Sequence, residues 1–138
     1  MNDTKMSFSE FVLRYLDQWN LEARYLAEDL YVTHTSLNAW MYRGVVPNGE
    51  SIKVIKNYFG EDFEGVVFDG KVFRRKFKII RPDGSSKVYD TNTELSETEL
   101  VAKSTITRCC RDGEAVKKGK RKCYRFEWVY EEVEVEGA

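Results

Sequence analysis

Between Leu21 and Gly44 lie two helical patterns, each too short to stand alone. Leu21, Tyr25, Leu26 and Leu30 recur at helical spacing, and after Val32 the period is repeated by Leu37, Trp40 and Met41. Isolated helices shorter than about 12–15 residues are marginal in water, so both must pack on neighbours. Thr33 suits the cap between them, because its hydroxyl can accept an otherwise unpaired amide of the next turn. Packing would leave one polar face of the second helix outward. That face holds His34, Thr35, Ser36, Asn38, Ala39, Tyr42 and Arg43, small or hydrogen-bonding side chains of the kind that read base edges.

The order Leu26-Ala27, Val32-Thr33, Ser36-Leu37-Asn38-Ala39-Trp40 and Arg43-Gly44 resembles the helix-turn-helix of phage-repressor and Cro-like regulators. The resemblance covers roughly residues 7–63 and implies a bundle of four or five helices that docks on duplex DNA. Two positions depart from the pattern. Tyr31 stands where the family often has its turn glycine, which requires the turn to avoid a strongly positive φ. Ala23 stands where many members carry a glutamine that contacts DNA.

The flanking helices are predicted from the same periodicity. Ser7 or Ser9 can cap a first helix, with Phe8, Phe11, Val12, Tyr15, Leu16 and Trp19 on one stripe and Asn20 at its end. Glu50–Phe59 reads as a fourth helix closed by Gly60, and residues 61–64 as one more turn with Phe63 inward. Trp19 and Trp40 are expected in the core, where large aromatic side chains bury most surface.

From about Gly65 the period changes from helical to alternating. Residues 71–81 read as a strand, with Phe73, Arg75, Phe77 and Ile79 opposed to Val72, Arg74, Lys76 and Lys78. Pro82-Asp83-Gly84-Ser85 is a turn signal, and residues 87–90 return as a partner strand. Thr93–Leu100 and Thr105–Arg111 then suggest two short helices, with residues 101–104 as turn and cap. A loop follows at residues 113–122, and Cys123–Tyr130 forms an aromatic strand. Residues 72–130 resemble the small DNA-binding modules appended to homing endonucleases. That resemblance implies duplex binding, with Lys103, Thr105, Thr107, Arg108 and Arg111 near bases or phosphates. Apart from any family, Lys117, Lys118, Lys120, Arg121 and Lys122 crowd one glycine-bearing loop that could track a phosphate backbone. A solvated surface loop is the plainer alternative.

Charge is strongly segregated behind a net value of −1. Residues 1–66 hold six basic and ten acidic side chains, residues 67–130 sixteen and nine, and residues 131–138 add four glutamates. Phosphate attraction acts over ~8–10 Å at ordinary salt, so local balance outweighs the sum. The middle of the chain is therefore the expected footprint for nucleic acid. The acidic tail can extend the last strand, fray as a solvated end, or shield the basic loop until nucleic acid displaces it.

Enzyme chemistry has little foothold. His34 is the single histidine and has no paired nucleophile. Three cysteines, two of them adjacent, make neither a zinc set nor a disulfide framework, and no phosphate-binding glycine loop is present. No catalytic residue, metal or cofactor is expected. No apolar run approaches the ~20 residues of a membrane span, and the first residues lack an export signal, so a cytoplasmic location is expected.

The expected architecture is α+β: a helix-turn-helix domain over residues 1–65, then a small basic hairpin–helix–strand domain over residues 66–138. The leading function is a sequence-specific DNA-binding regulator of phage or mobile-element type, acting as a repressor. Pairing as a homodimer rests on the resemblance, since no heptad seam is visible. The runner-up is a phage-encoded inhibitor of a host nuclease, similar to anti-CRISPR proteins that carry a helix-turn-helix domain. There one domain would autoregulate transcription and the other would bind the protein target.

Overall fold

A computed structural model describes residues 5–134, and these form six α-helices and two small sheets. The described residues divide into two compact units, one holding residues 5–74 together with 132–134, the other Arg75–Glu131.

In the first unit, helix α1 (Phe8–Trp19) buries Phe8, Val12 and Leu13. Its N-cap, Ser7, makes no capping bond; the hydroxyl donates to Asp69 Oδ2 at 2.7 Å instead. Asn20 ends the helix in the left-handed region at φ 51°, a conformation that a short amide side chain tolerates. Helix α2 (Ala23–Asp29) contributes Leu26 and Ala27 to the core, and Leu30 follows them inward. Helix α3 (His34–Tyr42) starts where Thr33 Oγ1 accepts the Ser36 amide at 3.0 Å. Its buried residues Leu37, Trp40 and Met41 face α1 and α2. Helix α4 (Gly49–Phe59) is capped by Asn48, whose Oδ1 accepts the Ser51 amide at 2.9 Å. A 3-10 turn (Gly60–Phe63) turns Phe63 into the core, as its spacing predicts.

Aromatic packing holds this unit together. Phe8, Phe11, Phe59, Phe63 and Phe68 form a chain of ring contacts with centroids 4.9 to 6.1 Å apart. Such pairs contribute about 0.5–1.5 kcal/mol each beyond the area they bury. Strands β1 (Met6–Ser7) and β2 (Val66–Val67) pair in parallel, so residues just past Gly65 lie with the helices. The buried Ser9 hydroxyl donates to the Met41 carbonyl at 2.7 Å and accepts the Phe73 amide at 2.9 Å. One side chain thus satisfies two backbone groups that packing has cut off from water.

Two sequence expectations fail here. Trp19 is 70% exposed rather than in the core, because it is the last residue of α1 and the chain turns away at Asn20. Tyr31 does adopt the positive φ, at 58°, that its side chain was expected to forbid. Closing the turn, with Val32 N–H donating to the Ala27 carbonyl at 3.0 Å, outweighs a local penalty of ~1–2 kcal/mol.

The second unit is built on a sheet of order β4-β3-β5, from β3 (Val72–Ile80), β4 (Ser86–Tyr89) and β5 (Arg125–Val133). β3 and β4 form the expected antiparallel hairpin, with Phe77 opposite Tyr89 and Ile79 opposite Lys87. Its turn closes through Arg81 N–H on the Ser85 carbonyl at 2.8 Å, with Gly84 at φ 90°. Helices α5 (Asn92–Glu99) and α6 (Lys103–Asp112) supply the rest of one core: Leu95, Val101, Ile106 and Cys109 against Phe77, Ile79, Tyr89 and Phe126. The opposite face of β3 is less basic than its residues imply. Lys76 Nζ lies 2.7 Å from Glu131 and 3.3 Å from Asp90, and these bonds raise its ammonium above the usual lysine range.

Boundaries shift for identifiable reasons. α6 begins at Lys103, two residues before the expected start, and its N-cap is Ala102 with no side-chain bond, so Ser104 is not the cap. β5 begins at Arg125 because Cys123, at φ 72°, still belongs to the preceding turn. β5 then runs on to Val133, so the acidic tail extends the strand through Val133; residues 135–138 lie outside the described part.

Candidate nucleic-acid interface

Among the described residues, the second unit carries fourteen basic and nine acidic side chains, a balance of +5; the first carries eight and twelve, a balance of −4. Within the second unit, α6 and the following loop enclose a groove of about 450 Å³. Thr105, Arg108 and Asp112 line it from one face of α6, as their spacing along a helix requires. Glu114, Val116, Lys117 and Lys118 line it from the loop. Arg108, Lys117 and Lys118 are exposed, whereas Thr105 is half-buried. Four residues singled out from sequence thus share one recess. The two acids were not foreseen, although Glu114 lies three residues before Lys117 and bridges to it at 3.3 Å.

The remaining candidates on α6 and the loop lie outside the lining of this groove. Lys103 is exposed at the first residue of the helix. Thr107 is half-buried, and its Oγ1 accepts Asn92 Nδ2 at 3.3 Å, linking α6 to α5. Arg111 is half-buried with its guanidinium 5.6 Å from the centre of the Trp128 ring. Lys120 is exposed at the loop tip, next to Gly119 at φ 85°. Arg121, expected to track phosphates, donates from Nε to the Glu99 carbonyl at 2.9 Å and stacks 5.5 Å over Tyr124.

The loop is held at its base. Val116 N–H donates to the Tyr124 carbonyl at 2.9 Å, and Cys123 N–H to the Val116 carbonyl at 2.8 Å. Val116 and Tyr124 also pack against the core, so the lysines project from a fixed hairpin. Beneath it, the Glu99 carboxylate accepts the Tyr89 hydroxyl and Arg81 Nη2, the latter at 2.9 Å. Burial, and then the bond to Glu99, push the Tyr89 phenol up to about 12. Neither Asn92 nor Glu99 has a local sequence signal, since the role of each depends on what folding places beside it.

In the first unit, His34, Thr35 and Arg43 are exposed and Tyr42 is 46% exposed. His34, Asn38 and Tyr42 follow one another at single-turn spacing along α3, with Asn38 half-buried. Thr33 and Ser36 are occupied in the cap: Thr33 Oγ1 accepts the Ser36 amide and donates to Ser36 Oγ at 3.0 Å.

Cys109 is buried, Cys110 half-buried and Cys123 exposed. Among the described residues no cluster of histidine, cysteine and carboxylate side chains is arranged to hold a metal, and no helix is long and apolar enough to cross a membrane. Compared with protein-family models, with curated proteins and with solved structures, the chain matches none of them.

Proposed function

We propose that this protein is a sequence-specific duplex-DNA-binding regulator of phage or mobile-element type, acting as a repressor in the cytoplasm. One observation carries the reading: Thr105, Arg108, Lys117 and Lys118 line a single groove in a unit of balance +5. Cations on a helix and an adjoining fixed loop suit a phosphate backbone, because each neutralised phosphate releases condensed counterions. Lys103 extends the basic edge at the start of α6. The exposed His34, Thr35, Tyr42 and Arg43 on and just after α3, with Asn38, supply a second set of groups suited to base edges. The α2–turn–α3 segment then acts as a helix-turn-helix, and a homodimer would set two such helices one DNA turn apart.

The test is binding of the full chain to its own promoter DNA and to random duplex, at ~50 and ~200 mM salt. Selective binding that weakens by ~10³–10⁵ over that range is expected if several phosphates are contacted. Absence of selective binding at either salt would overturn the reading.

A further inference from the structure

Exposed aromatic side chains are ordinary when scattered, but in the first unit helical spacing and two hydroxyl contacts link several of them. Trp19 is 70% exposed, Tyr25 45% and Tyr58 38%. Tyr15 and Trp19 lie one turn apart on α1, as do Tyr25 and Asp29 on α2. Tyr58 of α4 joins the two rows: its hydroxyl lies 3.3 Å from that of Tyr15 and donates to Asp29 Oδ2 at 3.1 Å. Glu28, also exposed, falls three residues from Tyr25 and so borders the same face. The described residues of the unit around this face have a balance of −4.

We propose that the face formed by Trp19, Tyr15, Tyr58, Asp29 and Tyr25 is a docking surface for an arginine-bearing protein segment. Charge and ring chemistry choose the occupant. Phosphates are repelled by Asp29, Glu28 and the surplus of acid, whereas a guanidinium finds both a carboxylate and ring faces. The chain already shows the contact in miniature: Arg24 sits 4.8 Å over the Tyr25 ring, with Nη2 donating to the Tyr25 hydroxyl at 3.2 Å and 3.0 Å from Glu22. Arginine is preferred over lysine because its planar group stacks on rings while its edge bonds a carboxylate. This surface belongs to the first unit and the α6 groove to the second, so the proposal does not rest on that groove binding DNA.

The experiment titrates isotope-labelled full chain with a short peptide alternating arginine and glycine, then with its lysine counterpart, following amide and indole resonances. The expected result is tighter binding of the arginine peptide, with shifts centred on Trp19, Tyr25, Asp29 and Tyr58. A Trp19→Ala/Tyr25→Ala double variant should weaken it by roughly five- to thirty-fold, and Trp19→Phe/Tyr25→Phe should restore part of the loss. Both variants change exposed positions, and their amide spectra report whether the fold is kept. Equal affinity for the two peptides, or binding untouched by the alanine variant, would mean general attraction to an acidic protein and would overturn the proposal. So would perturbation of the same resonances by duplex DNA.

Discussion

Arg121 Nε donates to the backbone carbonyl of Glu99 at 2.9 Å, tying the lysine-bearing loop to the last turn of α5. The same glutamate takes Arg81 and Tyr89 on its side chain, so strand, helix and loop meet at one residue. Arg121→Ala should cost about 1–2 kcal/mol, a charged hydrogen bond discounted for partial exposure. Lysine should not rescue it, having no equivalent of Nε. Faster amide exchange at Lys122 and Cys123, measured with thermal unfolding, checks this; unchanged exchange would show that the loop does not depend on the tie.

Alkaline pH should expose the role of Tyr89. The unfolded chain releases this proton near pH 10.0, but the folded chain holds it up to about 12, chiefly by burial and then by the bond to Glu99. Stability from the protonated phenol is therefore complete below pH 10.0 and is lost as pH rises through about 12. Tyr89→Phe should be less stable at neutral pH, since it leaves Glu99 with one partner fewer, yet show a shallower loss above pH 10. Urea midpoints between about pH 8 and 12 decide the matter, and parallel curves for the two proteins would refute it.

Tyr31 carries a left-handed backbone at φ 58° and is 88% exposed, so its side chain gains little burial in return. Tyr31→Gly should relieve ~1–2 kcal/mol of strain, offset by ~0.5–1 kcal/mol from the greater freedom of glycine when unfolded. A net gain of up to about 1 kcal/mol is expected in denaturant unfolding. A loss of stability would mean that the ring makes contacts worth more than the strain.

For DNA, Arg108→Glu and the Lys117→Glu/Lys118→Glu pair should each abolish binding through the α6 groove while leaving the fold intact. Milder neutral variants should lower the salt slope by ~0.9 for each phosphate contact removed. Asn38→Ala should act differently, relaxing sequence preference by ~1–3 kcal/mol at the affected base with little change in slope. Binding isotherms on operator and random duplex across salt separate these outcomes. An unchanged slope in every variant would remove the groove from the interface.

Ile106 is fully buried and fastens α6 to the sheet. Ile106→Ala should cost about 2–5 kcal/mol, transfer and cavity terms together. Ile106→Val should cost about 0.5–1.5 kcal/mol. Calorimetry or urea unfolding measures both, and near-equal losses would mean the core collapses around the smaller side chain.

Local chemistry was legible wherever a residue acts on its own neighbours. The Thr33 cap, the stop at Asn20, the inward Phe63 and the hairpin at Asp83-Gly84 all follow from spacing and backbone preference. Trp19 was misread because a stripe on a wheel does not say where the helix runs out of partners. For Thr107 and Arg121 the local sequence shows only a hydroxyl and a guanidinium; folding places Asn92 Nδ2 beside the one and the Glu99 carbonyl beside the other.

By itself the sequence determined the periods, the breaks between them and the segregation of charge, since these depend on residues a few positions apart. That is enough to set the helices, the hairpin and the basic character of the second unit. Only tertiary structure decided that Arg108 shares a groove with Lys117 and Lys118 while Arg111 lies against Trp128. It likewise decided that Tyr15, Tyr58 and Asp29, from three helices, meet through their polar ends. The reason is the same in both cases: a side chain's partners are chosen by which distant elements pack against its own, and burial sorts chemically similar residues into anchors and contacts.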